Sequence, residues 1–454
     1  MEKNQIIEFR ITDQSREGRG IGRYEGLIIF ADACVYGDLV RAKVRKVKKR
    51  YALADVIDVL EMSKDRIPDV CPYIDVCGGC SMGRLNYEAQ LKLKERHVSD
   101  VLQRIGGLDN PNIKPIISMD EPYNYRNKAT LAVDAANKKI GFVERASHKV
   151  VDCRECRLQT KAVSAVAAAF RETLPSNKEL KRIQKIVVKS SHSTGEVMVM
   201  PVVKDKVPVD FEEFIYVTND KINEIPSFEN GFEYTLTSFA LDRETKKGNS
   251  ISRQNEILAG RPVIKDSLLN LKFEISPYSF YQVNPVQAEK LYSKALEYAD
   301  IESDDTVLDL YCGVGTIGLF MAEAGAKKVI GIEIVKDAVL NANRNAVVNK
   351  IVNAVYYTGK AEEILPELRA SGEIASADVV ILDPPRKGCE ESLLRSIAEM
   401  DAKKIVYISC DPATLSRDVK ILAGLGYDFV EATPVDMFPH TSEIEVICLI
   451  SRKN

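Results

Sequence analysis

Thr306-Val307-Leu308-Asp309-Leu310-Tyr311-Cys312-Gly313-Val314-Gly315-Thr316-Ile317-Gly318 reads as a buried strand, a glycine-rich loop and the first turn of a helix. Strand-like runs recur after it: Val329-Ile330-Gly331-Ile332-Glu333-Ile334, then 354–357, 378–382 and 404–408. Helical stretches lie between them, near 336–349, 361–369 and 391–399. Strands alternating with helices give a parallel sheet covered on both faces, so residues 273–454 are expected to form a Rossmann-like α/β domain. A helix over 285–298 precedes its first strand. The closing runs 429–437 and 445–450 have no long helix between them and are expected to form an antiparallel hairpin at one edge.

Gly313-x-Gly315-x-x-Gly318 with Glu333 beyond it fits the dinucleotide fingerprint, which makes an NAD-dependent oxidoreductase the rival reading. Two features turn the reading toward S-adenosylmethionine. Asp309 stands inside the strand, where dinucleotide folds carry an apolar residue, and an acid there suits the amino-acid end of that cofactor. The fourth strand ends in Asp383-Pro384-Pro385-Arg386-Lys387-Gly388, a rigid lip at the sheet edge where ligands sit. This lip resembles the Asp/Asn-Pro-Pro motif of methyltransferases that act on bases and amides. Glu333 is placed to accept hydrogen bonds from ribose hydroxyls in either reading.

The fifth strand runs into Tyr407-Ile408-Ser409-Cys410-Asp411-Pro412. A thiol at the mouth of a sheet, beside a helix N-terminus, is expected to have a lowered pKa and nucleophilic character. Alone, such a cysteine is more often a small buried apolar residue. Carbon 5 of uracil is a poor nucleophile, and a thiolate adding to carbon 6 makes an enolate whose carbon 5 attacks a methyl group. A base must then remove the carbon 5 proton, and Phe438-Pro439-His440-Thr441-Ser442-Glu443-Ile444-Glu445 is the segment expected to supply it. A target uracil inside folded RNA has to be flipped out to reach this pocket.

Residues 1–60 read as short strands with turns at Gly18, Gly20, Gly22, Gly26 and Gly37. Val40-Arg41-Ala42-Lys43-Val44-Arg45 alternates apolar and basic residues, which puts a basic row outside a small OB-like barrel; such a row binds RNA or is simply solvated. Cys71, Cys77 and Cys80 follow with spacing that lets them converge on one centre, and Cys153 or Cys156 is available as a fourth ligand. Four thiolates suit an iron–sulfur cluster or zinc; the three-plus-one arrangement favours 4Fe-4S. A helix is expected over 86–107, and about 120–275 reads as mixed α+β. Composition excludes little: the 454-residue chain has a formal charge of −3. It contains no apolar run of membrane-spanning length. The N-terminal residues lack a signal-peptide core, which predicts a cytoplasmic location. No obligate protein partner is indicated.

Together these motifs resemble the RNA (uracil-5-)-methyltransferases over nearly the whole chain. The set comprises Phe280-Tyr281-Gln282-Val283-Asn284, Asp309-Leu310-Tyr311-Cys312-Gly313, Asp383-Pro384-Pro385-Arg386 and Ser409-Cys410-Asp411-Pro412. The resemblance implies a TRAM domain over 1–60, a central α+β iron–sulfur domain over 61–272 and a class I methyltransferase domain over 273–454. It implies that the helix near 86–107 packs on the catalytic domain. It also implies that Gln282, Tyr311, Glu333 and Asp383 contact S-adenosylmethionine, that Cys410 is the nucleophile and Glu445 the base, and that Cys71, Cys77, Cys80 and Cys156 hold a 4Fe-4S cluster. The expected activity is formation of 5-methyluridine in 23S ribosomal RNA, with uracil-54 of transfer RNA as the alternative. Two departures stand out. Glu443 occupies a position where the family commonly has a second histidine, leaving two carboxylates near the base position. Cys153 lies three residues before Cys156, leaving two choices of fourth ligand.

Overall fold

In the computed structural model, which describes residues 1–15, 17–145, 147–227, 232–247 and 250–453, the glycine-rich loop stands at the C-terminal edge of a seven-stranded sheet. Five strands of this sheet are parallel: β15 (Thr306–Leu310), β16 (Lys328–Glu333), β17 (Ala354–Thr358), β18 (Val379–Leu382) and β19 (Lys404–Ser409), counted along the chain from β1 at the N-terminus. The last two, β20 (Tyr427–Val435) and β21 (Glu445–Arg452), pair antiparallel, and β21 lies antiparallel to β19. The order is β17-β16-β15-β18-β19-β21-β20. The parallel strands are apolar on both faces, as a doubly covered sheet requires.

One face packs on α4 (Pro285–Ala299), α5 (Thr316–Glu323) and α6 (Lys336–Val348); the other packs on α7 (Ala361–Ala370), α8 (Glu391–Glu399) and α9 (Pro412–Gly424). Helix starts follow local chemistry. Asn284 and Asp411 each accept a backbone N–H of the first turn and are followed by proline at the first helical position.

The N-terminal strands β1 (Ile6–Gln14), β2 (Gly20–Tyr24), β3 (Leu27–Asp32), β4 (Leu39–Val47) and β5 (Tyr51–Glu61) close a barrel around Phe9, Ile29, Val40 and Val44. Along β4 the basic row does face outward, but much of it is paired: Arg41 with Glu8 and Asp58, Arg45 with Asp32 and Asp55. Lys46, Lys48, Lys49 and Arg50 remain exposed at the β4–β5 turn.

Next come α1 (Tyr87–Arg104) and a mixed sheet of β6 (Lys128–Asp134), β7 (Lys139–Val143), β8 (Val150–Asp152), β9 (Lys185–Ser190), β10 (Glu196–Val203), β11 (Thr235–Lys247) and β12 (Ser250–Gly260). Helices α2 (Lys161–Thr173) and α3 (Glu212–Asn223) cover that sheet, and β13 (Ile264–Leu268) and β14 (Leu271–Ile275) form a hairpin before α4.

Helix α1 carries Val98 and Leu102 into the core beneath the catalytic sheet, beside Leu308, Leu382 and Leu415. Its Lys94 and the Asp436 carboxylate beyond β20 form an ion pair of 2.5 Å with both side chains essentially inaccessible, and Lys94 also donates to the Phe438 carbonyl. Removing one member of such a pair strands the other charge without water. Lys94→Ala should therefore lower unfolding stability by about 3–5 kcal/mol, measured by urea denaturation. An exposed lysine such as Lys92, paired only with Glu88 on its own helix, should change stability little when replaced by alanine.

Candidate active site and cysteine cavity

Strand register aligns the candidate site residues. Leu310 pairs with Ile332 and with Leu382 in the parallel ladder, so one residue further on Tyr311, Glu333 and Asp383 lie in line across three adjacent strand ends. Ser409 pairs with Val446 across the antiparallel β19–β21 ladder, which puts Cys410 opposite Glu445. Gln282 arrives from the loop before α4. Its carbonyl accepts from Asn127 at 3.0 Å, and Lys189 pins the same loop through the Ser276 and Ser279 carbonyls at 2.8 and 3.0 Å.

The glycine-rich loop is built for close approach. Gly313 and Gly315 have φ of +55° and +79°, and a Cβ on Gly315 would lie 2.7 Å from the Tyr356 hydroxyl. Tyr311 itself is held at φ +65°. Asp309 is fully buried. Its Oδ2 accepts the Gly318 N–H at 2.8 Å, whereas Oδ1 has no partner among the described residues, and desolvation pushes the carboxyl up to about 7. An orphaned acceptor of this kind fits a bound ammonium group. Glu333 spends its two oxygens on the Gly313 and Val335 N–H groups, at 3.2 and 2.8 Å.

The expected lowering of the Cys410 pKa is corrected by the structure. Burial and the carboxylates of Glu445 and Asp383 push the thiol up to about 11, and Arg386 opposes them only in part. Asp383 is lifted to about 7 by desolvation, and the nearly inaccessible Glu445 is raised well above the ordinary carboxyl range by burial, then by Asp383 and Glu443. Glu443, by contrast, is tied to Arg386 at 3.1 Å.

Some neighbours of the site were not read from the sequence. Tyr292 on α4 is buried and feels the charges of Asp383, Glu445 and Asp309. Its apolar neighbours Ala288, Leu291 and Ala295 make it look like an ordinary core residue. Barrel residues Asp13 and Gln14, with Leu93, Lys94 and His97 of α1, line a cavity of about 70 Å³ at Cys410.

A second cavity, of about 240 Å³, is lined by Cys71, Cys77, Cys80, Cys153 and Cys156 together with Tyr73, Arg126, Phe142 and His440. Cys80 feels the charges of Cys156, Cys77 and Cys71, in that order, and Cys156 receives the Leu158 and Gln159 N–H groups. The Cys153 thiol donates to the Glu155 carbonyl at 3.3 Å. Among the described residues, no three of these sulfurs come within 4.8 Å of one another. A single zinc with sulfurs at 2.3 Å would hold them roughly 3.8 Å apart.

Residues 86–453 match the family model for tRNA (uracil-5-)-methyltransferase, and residues 2–57 match that for the TRAM domain. The chain belongs to the RNA (uracil-5-)-methyltransferase family. Relatives described as uncharacterized RNA methyltransferases are 38% identical in Clostridium tetani (99% of this chain, 97% of that one) and 40% identical in Clostridium acetobutylicum (100% and 98%). The solved Pyrococcus abyssi tRNA (uracil-54, C5)-methyltransferase, in complex with S-adenosyl-L-homocysteine, superposes with a TM-score of 0.74 at 26% identity, covering 98% of this chain and 100% of that one. The protein is thus an RNA uracil-5 methyltransferase with a class I methyltransferase fold and an N-terminal TRAM barrel, and the dinucleotide reading falls away. No helix among the described residues is long and apolar enough to cross a membrane.

The electrostatics of Cys410 give a signed expectation. Its alkylation by iodoacetamide in the RNA-free protein, read on the Cys410 peptide by mass spectrometry, should still be rising at pH 9. Asp383→Asn should accelerate it at pH 8, because one opposing carboxylate is gone.

Proposed function

We propose that this chain forms 5-methyluridine in 23S ribosomal RNA from S-adenosylmethionine, with Cys410 as nucleophile and Glu445 as base. The observation that carries the chemistry is the placement of Cys410 opposite Glu445, one residue beyond the Ser409–Val446 pair of β19 and β21, beside Asp383 and Arg386. The S-adenosyl-L-homocysteine bound to the Pyrococcus abyssi protein supports the donor, as does the orphaned Asp309 oxygen in the glycine cradle. Gln282, Tyr311, Glu333 and Asp383 would hold the cofactor along the strand ends, and the cofactor supplies an electrophilic methyl group when bound.

Cys410 gives up its proton to solvent water and its sulfur adds to carbon 6 of a flipped uracil, moving an electron pair toward carbon 5. Carbon 5 takes the methyl group. Glu445 then removes the carbon 5 proton, the carbon 6–sulfur bond breaks and the thiolate leaves. A carboxylate with raised proton affinity is the stronger base for that step near neutral pH, which favours Glu445 over the Arg386-bound Glu443.

Cys71, Cys77, Cys80 and Cys156 are proposed as ligands of a 4Fe-4S cluster. Their shared cavity, sulfurs too far apart for one ion and the half-buried Arg126 beside them all fit a larger anionic group. The cysteine set favours ribosomal RNA, because the transfer-RNA branch of the family often lacks it. Uracil-54 of transfer RNA is the second reading, favoured by the full-length likeness to the Pyrococcus abyssi enzyme. The exposed lysines of the β4–β5 turn suit a phosphate backbone in either case.

With labelled S-adenosylmethionine and separate RNA pools, label is expected in 23S RNA; label confined to transfer RNA selects the second reading. Cys410→Ala should abolish covalent capture of 5-fluorouridine RNA, whereas Glu445→Gln should accumulate adduct with ordinary RNA. Accumulation with Glu443→Gln instead would move the base to Glu443. Anaerobically purified protein should be brown, with visible absorbance lost in Cys156→Ala and retained in Cys153→Ala. A colourless protein holding zinc would overturn the cluster.

A further inference from the structure

We propose that Glu443 is a positioning residue that holds the Arg386 guanidinium beside both Cys410 and Glu445, so that one cation serves the two reacting groups. The proposal rests on the reading of Cys410 as nucleophile and adds a residue to that site.

The main chain around Arg386 is fixed from α9, the helix that begins just after Cys410. Thr414 donates to the Arg386 carbonyl at 3.3 Å, Arg417 donates to the Lys387 and Cys389 carbonyls at 3.0 Å, and buried Asp418 accepts the Cys389 N–H at 2.8 Å. Gly388, at φ +74°, closes this junction so tightly that a Cβ would lie 2.6 Å from Arg417 and Asp418. The Arg386 side chain is different: 65% of it is exposed. A long side chain at that exposure has many rotamers to choose from unless something ties it. The tie is the 3.1 Å bond from Nη2 to the Glu443 Oε2, and Glu443 is itself anchored, its N–H donating to Thr441 at 3.2 Å.

So tied, Arg386 favours the ionised forms of both Cys410 and Glu445, against burial and against Asp383. Lys94 and His97 of α1, Asp13 of the barrel and Asp411 at the start of α9 also border the cavity. The charge of Glu443 acts on Glu445 in the opposite sense, making it harder to ionise. A carboxylate that were merely a neighbour would therefore hinder ionisation at this edge, and its removal would help. A carboxylate that positions Arg386 gives the reverse sign.

The test reads thiol reactivity in the full-length, RNA-free protein, where any contact of Arg386 with RNA plays no part. Iodoacetamide alkylation of the Cys410 peptide is followed from pH 7 to 10 in Glu443→Gln, in Arg386→Gln and in the double variant. Each single variant should slow alkylation at pH 8 by roughly threefold to fivefold, the scale of a half-exposed charge interaction, and move the midpoint upward. The double variant should be no slower than either single one. Faster or unchanged alkylation in Glu443→Gln, or effects that multiply in the double variant, would overturn the proposal. Capture of 5-fluorouridine RNA by Cys410→Ala would instead defeat the nucleophile reading, whatever the alkylation rates.

Discussion

The site depends on the reversal of one strand. Because β21 runs antiparallel between β19 and β20, its N-terminal end emerges at the edge where the parallel strands have their C-terminal ends. A wholly parallel sheet brings only loops after its strands to that edge. The reversal instead inserts the first residue of a strand, and Glu445 enters the row already held by Tyr311, Glu333, Asp383 and Cys410 with its backbone fixed by the ladder. A carboxyl carried there by a free loop would be hydrated and mobile; this one is nearly inaccessible.

The loop that makes the reversal, from Asp436 to Ile444, is secured from three parts of the chain distant in sequence. Helix α1 holds it through the buried Lys94–Asp436 pair and through Gln90, whose Oε1 accepts the His440 N–H at 2.8 Å. The segment after Cys80 holds it through Ser81, which accepts the Ser442 N–H at 2.8 Å, and through the Met82 N–H to the His440 carbonyl. Tyr125, before the central sheet, donates to the Pro439 carbonyl at 2.9 Å. The cysteine cavity and the candidate active site therefore share a wall, with His440 lining the first and Glu443 the second. This arrangement explains why a helix with an apolar stripe at Val98 and Leu102 sits between barrel and central sheet in sequence while its stripe lies in the catalytic core.

The parallel half of the fold is legible in the sequence because its signals are local. Apolar strands of four to six residues alternate with helices, and Asn284-Pro285 and Asp411-Pro412 mark the starts of α4 and α9. The central region is harder to read: β11 runs Thr235-Leu236-Thr237-Ser238-Phe239-Ala240-Leu241-Asp242 without a clean apolar alternation, and its hairpin with β12 is not apparent from pattern alone. Cys410 shows the same limit at the site. Sequence places it at a helix N-terminus, where a thiol is acidified; the fold buries the thiol, and the register of β21 sets a carboxyl opposite it, and both push its pKa the other way. Tyr292 is missed for a related reason, since only the docking of α4 brings it within reach of the Asp383, Glu445 and Asp309 charges.

Three groups that can lose a proton thus crowd one desolvated edge, Cys410, Glu445 and Asp383, and the Asp383 charge raises the proton affinity of the other two. In the proposed reaction, addition requires the Cys410 thiolate and elimination requires the Glu445 carboxylate, both anions disfavoured by burial and by Asp383. The requirements do not coincide in time. Once sulfur is bonded to carbon 6 it is a neutral thioether, and its charge no longer opposes ionisation of Glu445, which becomes easier at the step that uses it. Release of the thiolate restores the opposing charge just as Glu445 has taken the proton from carbon 5. The burial and the neighbouring carboxylates that make Cys410 a weak acid at rest would, in the proposed reaction, separate the two anions in time.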